Sequence, residues 1–542
     1  MKRILPKFSL ILSLILPVLA DSTQTNNLNY DSINSETEKL IQIDVRHNNE
    51  IKLLVQKGFC LISNFDNMVL ARCNYPAINK INLLGYNYSI LDDINPTYNY
   101  YYLWPIDQET KKAISNLCEV LYQNKEFYIV KINETNLDKL LRFRFELAKI
   151  TFKPITITQT KKEFPLVTNN PFVQEIVDRV NLDSVLSFVQ RLINFQTRYS
   201  PTDSCRAAAD YIKYQFEIYG LDSIYHQTFR PDYAPNVIGI KRGTVYPESI
   251  YTVICGHFDC TSPNPNGFAP GADDNGSGTA TVLEAARVMQ GYSFEYSIRF
   301  IAFCGEEQGL LGSYYYTNQA SNNGDSILGV INIDMIAYTQ LNRDSASIIG
   351  HPSVPNCAPL VDYYIACADT YTLLKTQRQI INRPRSDHAS FNQFGYQALH
   401  CRENLNVSNP YYHTTGDTIG GGFNNLEFCT EVIKASVATV ASLAKPQMVG
   451  LSDMNFGIKL SVNEIKIYPN PSSKVIWIKH NLTKVEKTKL KIYNVCGKII
   501  RNLKKLTDSK MTRLDISALS PGIYFVELTN DIETATGKII IR

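Results

Sequence analysis

After its first twenty residues the chain lacks any further apolar run long enough to cross a bilayer. It also lacks a charge imbalance and any zinc-type CxxC pair. The first absence predicts that everything beyond residue 20 folds in water, with no stable transmembrane span. The second is a near balance of 54 Lys and Arg against 51 Asp and Glu. The resulting net charge of +3 is spread along the chain, which argues against nucleic acid or a polyanionic surface as partner. The third removes the usual cysteine-ligated structural zinc sites. What remains is ordinary globular composition, 44% apolar and 19% charged. At 542 residues it should form more than one domain.

Residues 1–20, MKRILPKFSLILSLILPVLA, carry Lys2 and Arg3, a short apolar core, and the small residues Val18 and Ala20 before a cleavage point. That is the pattern of a secretory signal; a retained single anchor is the alternative. An exported chain with twelve cysteines could form disulfides. Their spacing is irregular, and Cys255 and Cys304 fall within strands that read as buried, where free thiols are expected.

The organising stretch is Ser297–Ser313, SIRFIAFCGEEQGLLGS. Ser297–Cys304 reads as a strand that is apolar on both faces except at Ser297 and Arg299. Such a strand belongs in a parallel sheet covered by helices. It runs into Gly305-Glu306-Glu307, where open α/β sheets place their sites, past the carboxyl end of a strand. Adjacent carboxylates repel and are costly there unless a cation or a bound water uses them. Strands and helices alternate around this stretch over some 260 residues: helices near 184–193 and 204–219, a strand at Ile250–Cys255, a helix at Ala280–Met289, and strands at Ile327–Ile333, Ala346–Ile349 and Tyr396–Cys401. The prediction is a three-layer α/β/α sandwich with a mostly parallel central sheet.

Other ligand-type residues fall in neighbouring loops. His257 follows a strand, with Asp259 two positions on; Asp273-Asp274 precedes a helix in PGADDNGSG. Asp334 ends a strand, and His413 lies in YYHTTGDT. Taken singly, each has a plain structural reading: a hydrogen-bonded His, an N-cap Asp, a solvated Glu pair. Together, imidazole plus carboxylate is the donor set of hydrolytic zinc. Two His and three carboxylates suffice for two metals if one carboxylate bridges. Such a pair can polarise a carbonyl and activate water, with a further carboxylate to carry the proton.

In this order HxD, GADDNGSG, GEExGLxGS, NxDM and HTTxDT resemble the secreted di-zinc aminopeptidases, of bacterial leucyl aminopeptidase type. These share a fold with glutamate carboxypeptidase and glutaminyl cyclase. The resemblance spans roughly Leu182 to Ala444. It implies Asp274 as bridging carboxylate, with Asp273 its rival. It implies Glu307 and His413 on one zinc, His257 and Asp334 on the other, and Glu306 as general base and acid. Asp259 would hold the other ring nitrogen of His257, and Tyr412 would support the oxyanion, or simply pack. Ser386-Asp387-His388 matches a family motif near the cleft and is read as structural. Relatives with a disulfide-framed Tyr before that motif differ from this chain, which has Asn382-Arg383-Pro384-Arg385 there; Arg383 or Arg385 would line the cleft instead. The implied activity is removal of N-terminal residues from peptides by metal-activated water, with two Zn²⁺ per chain. A glutaminyl-peptide cyclotransferase and an inactive binding ectodomain are the alternatives.

From Ser461 short alternating strands follow one another, a small β-sandwich. Within it YPNPSS (Tyr468–Ser473), the turn Asn494–Gly497, Leu519–Tyr524 in DISALSPGIYFVEL, and the closing Lys538–Arg542 resemble the C-terminal sorting domains of type IX secretion cargo. That implies the type IX machinery as partner and a secreted or cell-surface location reached through the periplasm. At the other end, Met68–Leu91 and Phe127–Ile150 each read as strand, Asn cap, short helix and strand, two similar units of a small α/β region with no ligand cluster. That region could be a propeptide, a folding aid or an accessory module. The expected organisation is a signal (1–20), an N-terminal region with linker (21–180), a peptidase domain (181–445), a linker (446–460) and a sorting sandwich (461–542).

Overall fold

The computed structural model describes residues 38–65, 67–156, 163–353, 355–447, 462–480, 488–494, 499–503, 511–529 and 534–542. The signal segment lies outside these residues, as do most of the 446–460 linker and the Asn494–Gly497 turn beyond Asn494. No helix among the described residues is long and apolar enough to cross a membrane.

The N-terminal region is built twice from one plan. The first unit comprises β1 (Lys39–Asp44), α1 (Asn48–Gln56), β2 (Cys60–Phe65), β3 (Met68–Cys73), α2 (Tyr75–Leu83) and β4 (Tyr88–Asp93). The second comprises β5 (Asn99–Pro105), α3 (Gln108–Leu117), β6 (Glu119–Gln123), β7 (Tyr128–Ile132), α4 (Glu134–Leu140) and β8 (Phe145–Lys149). Sheet orders β2-β3-β1-β4 and β6-β7-β5-β8 correspond strand for strand. Each unit is a split βαβ, because β1 pairs antiparallel with both β3 and β4, and β5 with both β7 and β8. The Asn caps act as the sequence suggests: Asn74 and Asn133 accept from the amides of Ala77 and Asn136. The repeat thus extends one strand–helix–strand further back in each unit than Met68–Leu91 and Phe127–Ile150 indicate.

The helices α5 (Pro171–Asp178), α6 (Leu182–Ile193) and α7 (Asp203–Ile218) lead into the central domain. Residues 156–181 read as linker, yet α5 forms there, with Asn170 as cap and Pro171 at its first position, and it buries Val173, Ile176 and Val177. The cap of α7 is Thr202, whose hydroxyl accepts from the Cys205 amide. There follow β9 (Ser223–Gln227), β10 (Asn236–Lys241), β11 (Ile250–His257), α8 (Gly276–Val288), β12 (Ser293–Phe294), β13 (Ser297–Phe303), α9 (Leu311–Asn322) and β14 (Ser326–Ile333). The domain continues with β15 (Ser345–Gly350), α10 (Ala358–Tyr371), β16 (Lys375–Ile380), α11 (His388–Gln393), β17 (Ala398–Glu403), α12 (Leu426–Ala444) and β18 (Pro446–Gln447). Eight strands form one sheet in the order β16-β15-β17-β14-β11-β13-β10-β9. Its centre is parallel: β11 pairs with β13 and β14, and β14 with β17. Antiparallel pairs flank this centre, β13 with β10, β10 with β9, and β15 with β17, while the edge strand β16 pairs parallel with β15.

Side chains of β13 alternate between the two faces. Ile298, Phe300 and Ala302 join the core that holds residues of α6, α7, α8, α10 and α12. Ile301 and Phe303 join Tyr316 of α9 and Phe391 of α11 on the opposite face. That face also takes Arg299, whose guanidinium lies 3.6 Å from the Tyr251 ring centroid and pairs with Asp325. The chain is α/β, with a three-layer α/β/α sandwich on a mostly parallel sheet. Residues beyond 462 form a three-stranded and a five-stranded sheet around a core of their own. Cys255 and Cys304 are buried free thiols, and the eleven cysteines among the described residues are all free.

Candidate metal centre

The carboxyl ends of β11, β13 and β14 converge, and each delivers a polar side chain. His257 is the last residue of β11, not a residue beyond it. Its Nδ1 lies 3.0 Å from the backbone oxygen of Asp259. Asp259 thus meets the other ring nitrogen of His257 as expected, chiefly through its carbonyl, with its carboxylate 3.7 Å away. That carboxylate accepts from Ser200 Oγ at 2.9 Å and from the amides of Glu306 and Glu307 at 3.4 and 3.3 Å. Asp259 therefore braces the Glu-Glu turn, while its carbonyl orients His257 so that Nε2 faces the cleft.

Glu306 and Glu307 leave β13 through Gly305, whose φ of +76° suits a residue without Cβ. Asp274 precedes α8, whose cap Asn275 accepts from the Gly278 amide. Asn275 Nδ2 also donates to the Ile333 oxygen at the end of β14, which links the loop of Asp274 to the strand of Asp334. Gly278 permits this approach: a Cβ there would lie 2.3 Å from that same oxygen.

Of the rival aspartates, only Asp274 faces the histidines. Its carboxylate lies 3.5 Å from His257 Nε2 and 3.2 Å from His413 Nε2. Asp273 points elsewhere, accepting from the Ala337 amide at 2.8 Å and from Asn409 at 3.0 Å. Asp334 lies 3.6 Å from His257 Nε2, Glu307 lies 2.9 Å from His413 Nε2, and Glu306 lies 4.0 Å from His257 Nε2. His413 adopts φ +53°, a left-handed conformation that is costly for a residue with Cβ and concentrates at functional sites. Tyr412 stacks on its ring at 3.9 Å between centroids. Asn332, just before Asp334 on β14, donates to Ser386 Oγ, and His388 packs against His400, so Ser386 and His388 lie behind the cleft.

The electrostatics call for a cation. Asp274, Glu306, Glu307 and Asp334 crowd two imidazoles in a nearly dry site. Burial and the nearby Asp274 push the Glu307 carboxyl up to about 7 despite His413. Burial and Glu307 likewise raise Glu306 against the pull of His257. Burial would lower His413, but Glu307 and Asp274 raise it to about 10. Glu307 Oε1 is buried with no protein partner. Ligand atoms of His257, Glu306 and Asp334 lie within 4.8 Å of one another, as do those of His257, Asp274 and Glu307, so either group could hold a metal ion. The donor set, two imidazoles with several carboxylates, is one that suits zinc.

Residues 236–425 match the model of peptidase family M28, and residues 466–542 match a secretion system C-terminal sorting domain. The central domain is a family M28 peptidase domain. A probable leucine aminopeptidase of Arthroderma benhamiae is 28% identical over 291 residues, covering 51% of this chain and 76% of its own length. A probable zinc metalloprotease of Pyrenophora teres f. teres is 31% identical over 192 residues, 31% of this chain and 41% of that protein. The crystal structure of the Legionella pneumophila LapA aminopeptidase superposes with a TM-score of 0.53 at 23% identity, covering 65% of this chain and 99% of that one, a likeness of fold.

Around the M28 site stand residues that the motifs do not announce. The Asp417 carboxylate accepts from the amides of Asp273 and Asp274, both at 3.0 Å, and so sets the Asp274 backbone. The buried Arg198 guanidinium donates to the oxygens of Phe258, Pro270 and Gly271, clamping the His257 loop to the Asp274 loop. A lone Arg in QTRYS gives no sign of this. Strand β8 of the N-terminal region lies over the M28 cleft: Phe145, Glu146 and Leu147 line one small cavity with His257, Asp274, Glu306, Glu307, Asp334 and His413. Glu146 is paired with Arg383 at 2.9 Å and Arg385 at 3.0 Å.

Proposed function

We propose that the chain is a secreted zinc-dependent exopeptidase of aminopeptidase type, holding two zinc ions. The observation that carries this reading is the convergence of five ligand-type side chains, one from the end of β11 and four from separate loops, upon one cleft of an M28 domain. The named relatives are leucine aminopeptidases and a zinc metalloprotease, which supports both the reaction and the metal. His257 and Asp334 would hold one ion and Glu307 and His413 the other, and Asp274, within 3.5 Å of both histidines, would be shared. Zinc so held supplies Lewis acidity toward the scissile carbonyl and lowers the pKa of a water toward neutrality.

The chain's own residues do the rest. Glu306, raised by burial and by Glu307, takes the proton of the attacking water and returns it to the leaving amine. The Asp259 carbonyl, which can only accept, keeps a proton of His257 on Nδ1, so that Nε2, turned to the cleft, is the nitrogen that would bind the ion. Tyr412, stacked on His413, offers its phenol where negative charge develops on the carbonyl oxygen. The sorting domain at 466–542 directs the protein to the secretion machinery, type IX in the reading its motifs support, and so to the cell surface or the medium.

The deciding experiment assays purified protein on a panel of aminoacyl reporters, with and without chelator, and measures metal per chain. Release of free amino acid that disappears with chelator and returns with zinc, at two zinc per chain, is expected. Cyclisation of N-terminal glutamine at one zinc per chain would replace this reading with a cyclotransferase.

A further inference from the structure

Beside the ligand cluster the cleft carries a second set of charges that the proposed chemistry does not use. Arg383 and Arg385 precede Ser386, and Arg402 lies in β17; all three turn toward the single carboxylate of Glu146. The Arg402 guanidinium lies 4.0 Å from Glu146 and 3.9 Å from Glu403. Arg383 Nη1 and Arg402 Nε are buried with no acceptor in the protein. Arg383 and Arg385 thus share one carboxylate supplied by another folding unit, Arg402 stands between that carboxylate and its neighbour Glu403, and donors remain unmet. Buried charge stripped of its partner is strongly unfavourable, so a cleft of this kind without Glu146 calls for another anion. Arg385, Arg402 and Glu146 face the same small cavity as the ligand cluster. An anion replacing Glu146 would therefore sit in the same cavity as the ligand cluster. Guanidinium forks suit carboxylates in particular.

We propose that Arg383, Arg385 and Arg402 form a subsite for a carboxylate of the peptide substrate, and that Glu146 of the N-terminal region occupies it as a stand-in. This rests on the exopeptidase reading and narrows it to substrates that bring a carboxylate to this subsite. The carboxylate comes either from an Asp or Glu side chain at the N-terminal residue or from the free C-terminus of a short peptide. The chain with Glu146 in place is thereby blocked at its own specificity pocket.

The test uses the full chain and Glu146→Ala, with Glu146→Gln as the variant that keeps side-chain length and one acceptor oxygen. Kinetics are compared on glutamyl, aspartyl and leucyl reporters, and on Leu-Gly as free acid and as amide. Expected is a gain in kcat/KM of at least tenfold for carboxylate-bearing substrates relative to the leucyl reporter. A gain on the glutamyl and aspartyl reporters assigns the side chain; a gain confined to Leu-Gly acid over its amide assigns the C-terminus. Adding Arg385→Gln should abolish the selective gain. If both Glu146 variants cleave the leucyl reporter with the acidic-to-neutral ratio of the parent, the subsite is overturned and the exopeptidase stands. If no form cleaves any substrate, the exopeptidase reading fails instead, and calorimetry with glutarate decides the subsite. Binding at least tenfold tighter to Glu146→Ala than to the parent upholds it, and equal binding removes it.

Discussion

At the level of single side chains, the proposed reading gives the two adjacent glutamates different work. Glu307, 2.9 Å from His413, would be a ligand. Glu306, 4.0 Å from His257, would move the proton. Glu306→Gln should keep zinc content at the parental value and lower kcat by about 10²–10⁴-fold, read by metal analysis beside single-turnover kinetics. Near-parental turnover would take Glu306 out of that role. Asp259 gives a sharper contrast, because its carbonyl orients His257 while its carboxylate braces the amides of Glu306 and Glu307. Asp259→Asn keeps an acceptor oxygen for those amides, and zinc affinity should stay within a few-fold of the parent. Asp259→Ala removes it, and affinity should fall by about 10–100-fold. Equal loss in both variants would show that the charge, not the brace, is what matters. The ligand-type residues were legible because each lies within a short motif, and all but His413 stand at the mouth of a buried strand or the foot of a helix. Glu146, Arg198 and Arg402 were not: their significance comes from partners 237 residues away for Glu146–Arg383 and 60 or more for Arg198 with the Phe258 and Pro270 oxygens, and no local pattern encodes such a pairing.

Among elements, the strands that were readable are those buried on both faces. Ile250–His257, Ser297–Phe303 and Ser326–Ile333 form the middle of the sheet, and their near-continuous apolar runs reflect helices on either side. The strands that escaped notice include the two edges. Ser223–Gln227 and Lys375–Ile380, SIYHQ and KTQRQI, are half-buried and polar, as edge strands are when they must not recruit another sheet. Helix α5 was hidden by its neighbours Pro165 and Pro171, although Pro171 starts the helix instead of breaking it. One contact that couples two elements at close range is the crossing of α8 and β14 at Gly278. Gly278→Ala would drive a Cβ to 2.3 Å from the Ile333 oxygen, and backbone must move to admit it. The expected cost is about 1–3 kcal/mol, seen as a lower Tm. Asp334 follows Ile333 directly, so zinc affinity should fall with it. An unchanged Tm with parental zinc binding would mean that the crossing is slack.

For the molecule as a whole, the three parts differ in how far they lean on one another. The sandwich after residue 462 buries Ile476, Ile478, Leu490, Ile492 and Val526 in a cluster drawn only from its own strands. Deleting 462–542 should therefore leave aminoacyl hydrolysis and the melting of the M28 domain unchanged while abolishing export, read by activity in cell and medium fractions. The N-terminal region is different, because Glu146 ties it to the cleft. Burial works against the charge of Glu146, but Arg383, Arg385 and Arg402 hold its carboxyl down to about 2, from a usual 4.5. A carboxyl depressed on docking stabilises the docked state fully above its undocked value, and the contribution fades as pH falls from about 4.5 toward 2. Trp104 of β5 can report this, since the Arg385 guanidinium lies 5.0 Å from its ring centroid. With Trp477→Phe it becomes the only tryptophan of the two in the chain. Its fluorescence should hold steady above pH 4.5 and change on acidification below it. Glu146→Gln, which has no proton to gain, should lose that transition while keeping any general acid unfolding. A transition of the same midpoint and size in Glu146→Gln would show that other carboxylates govern the docking, and that the arginines do not depend on this one.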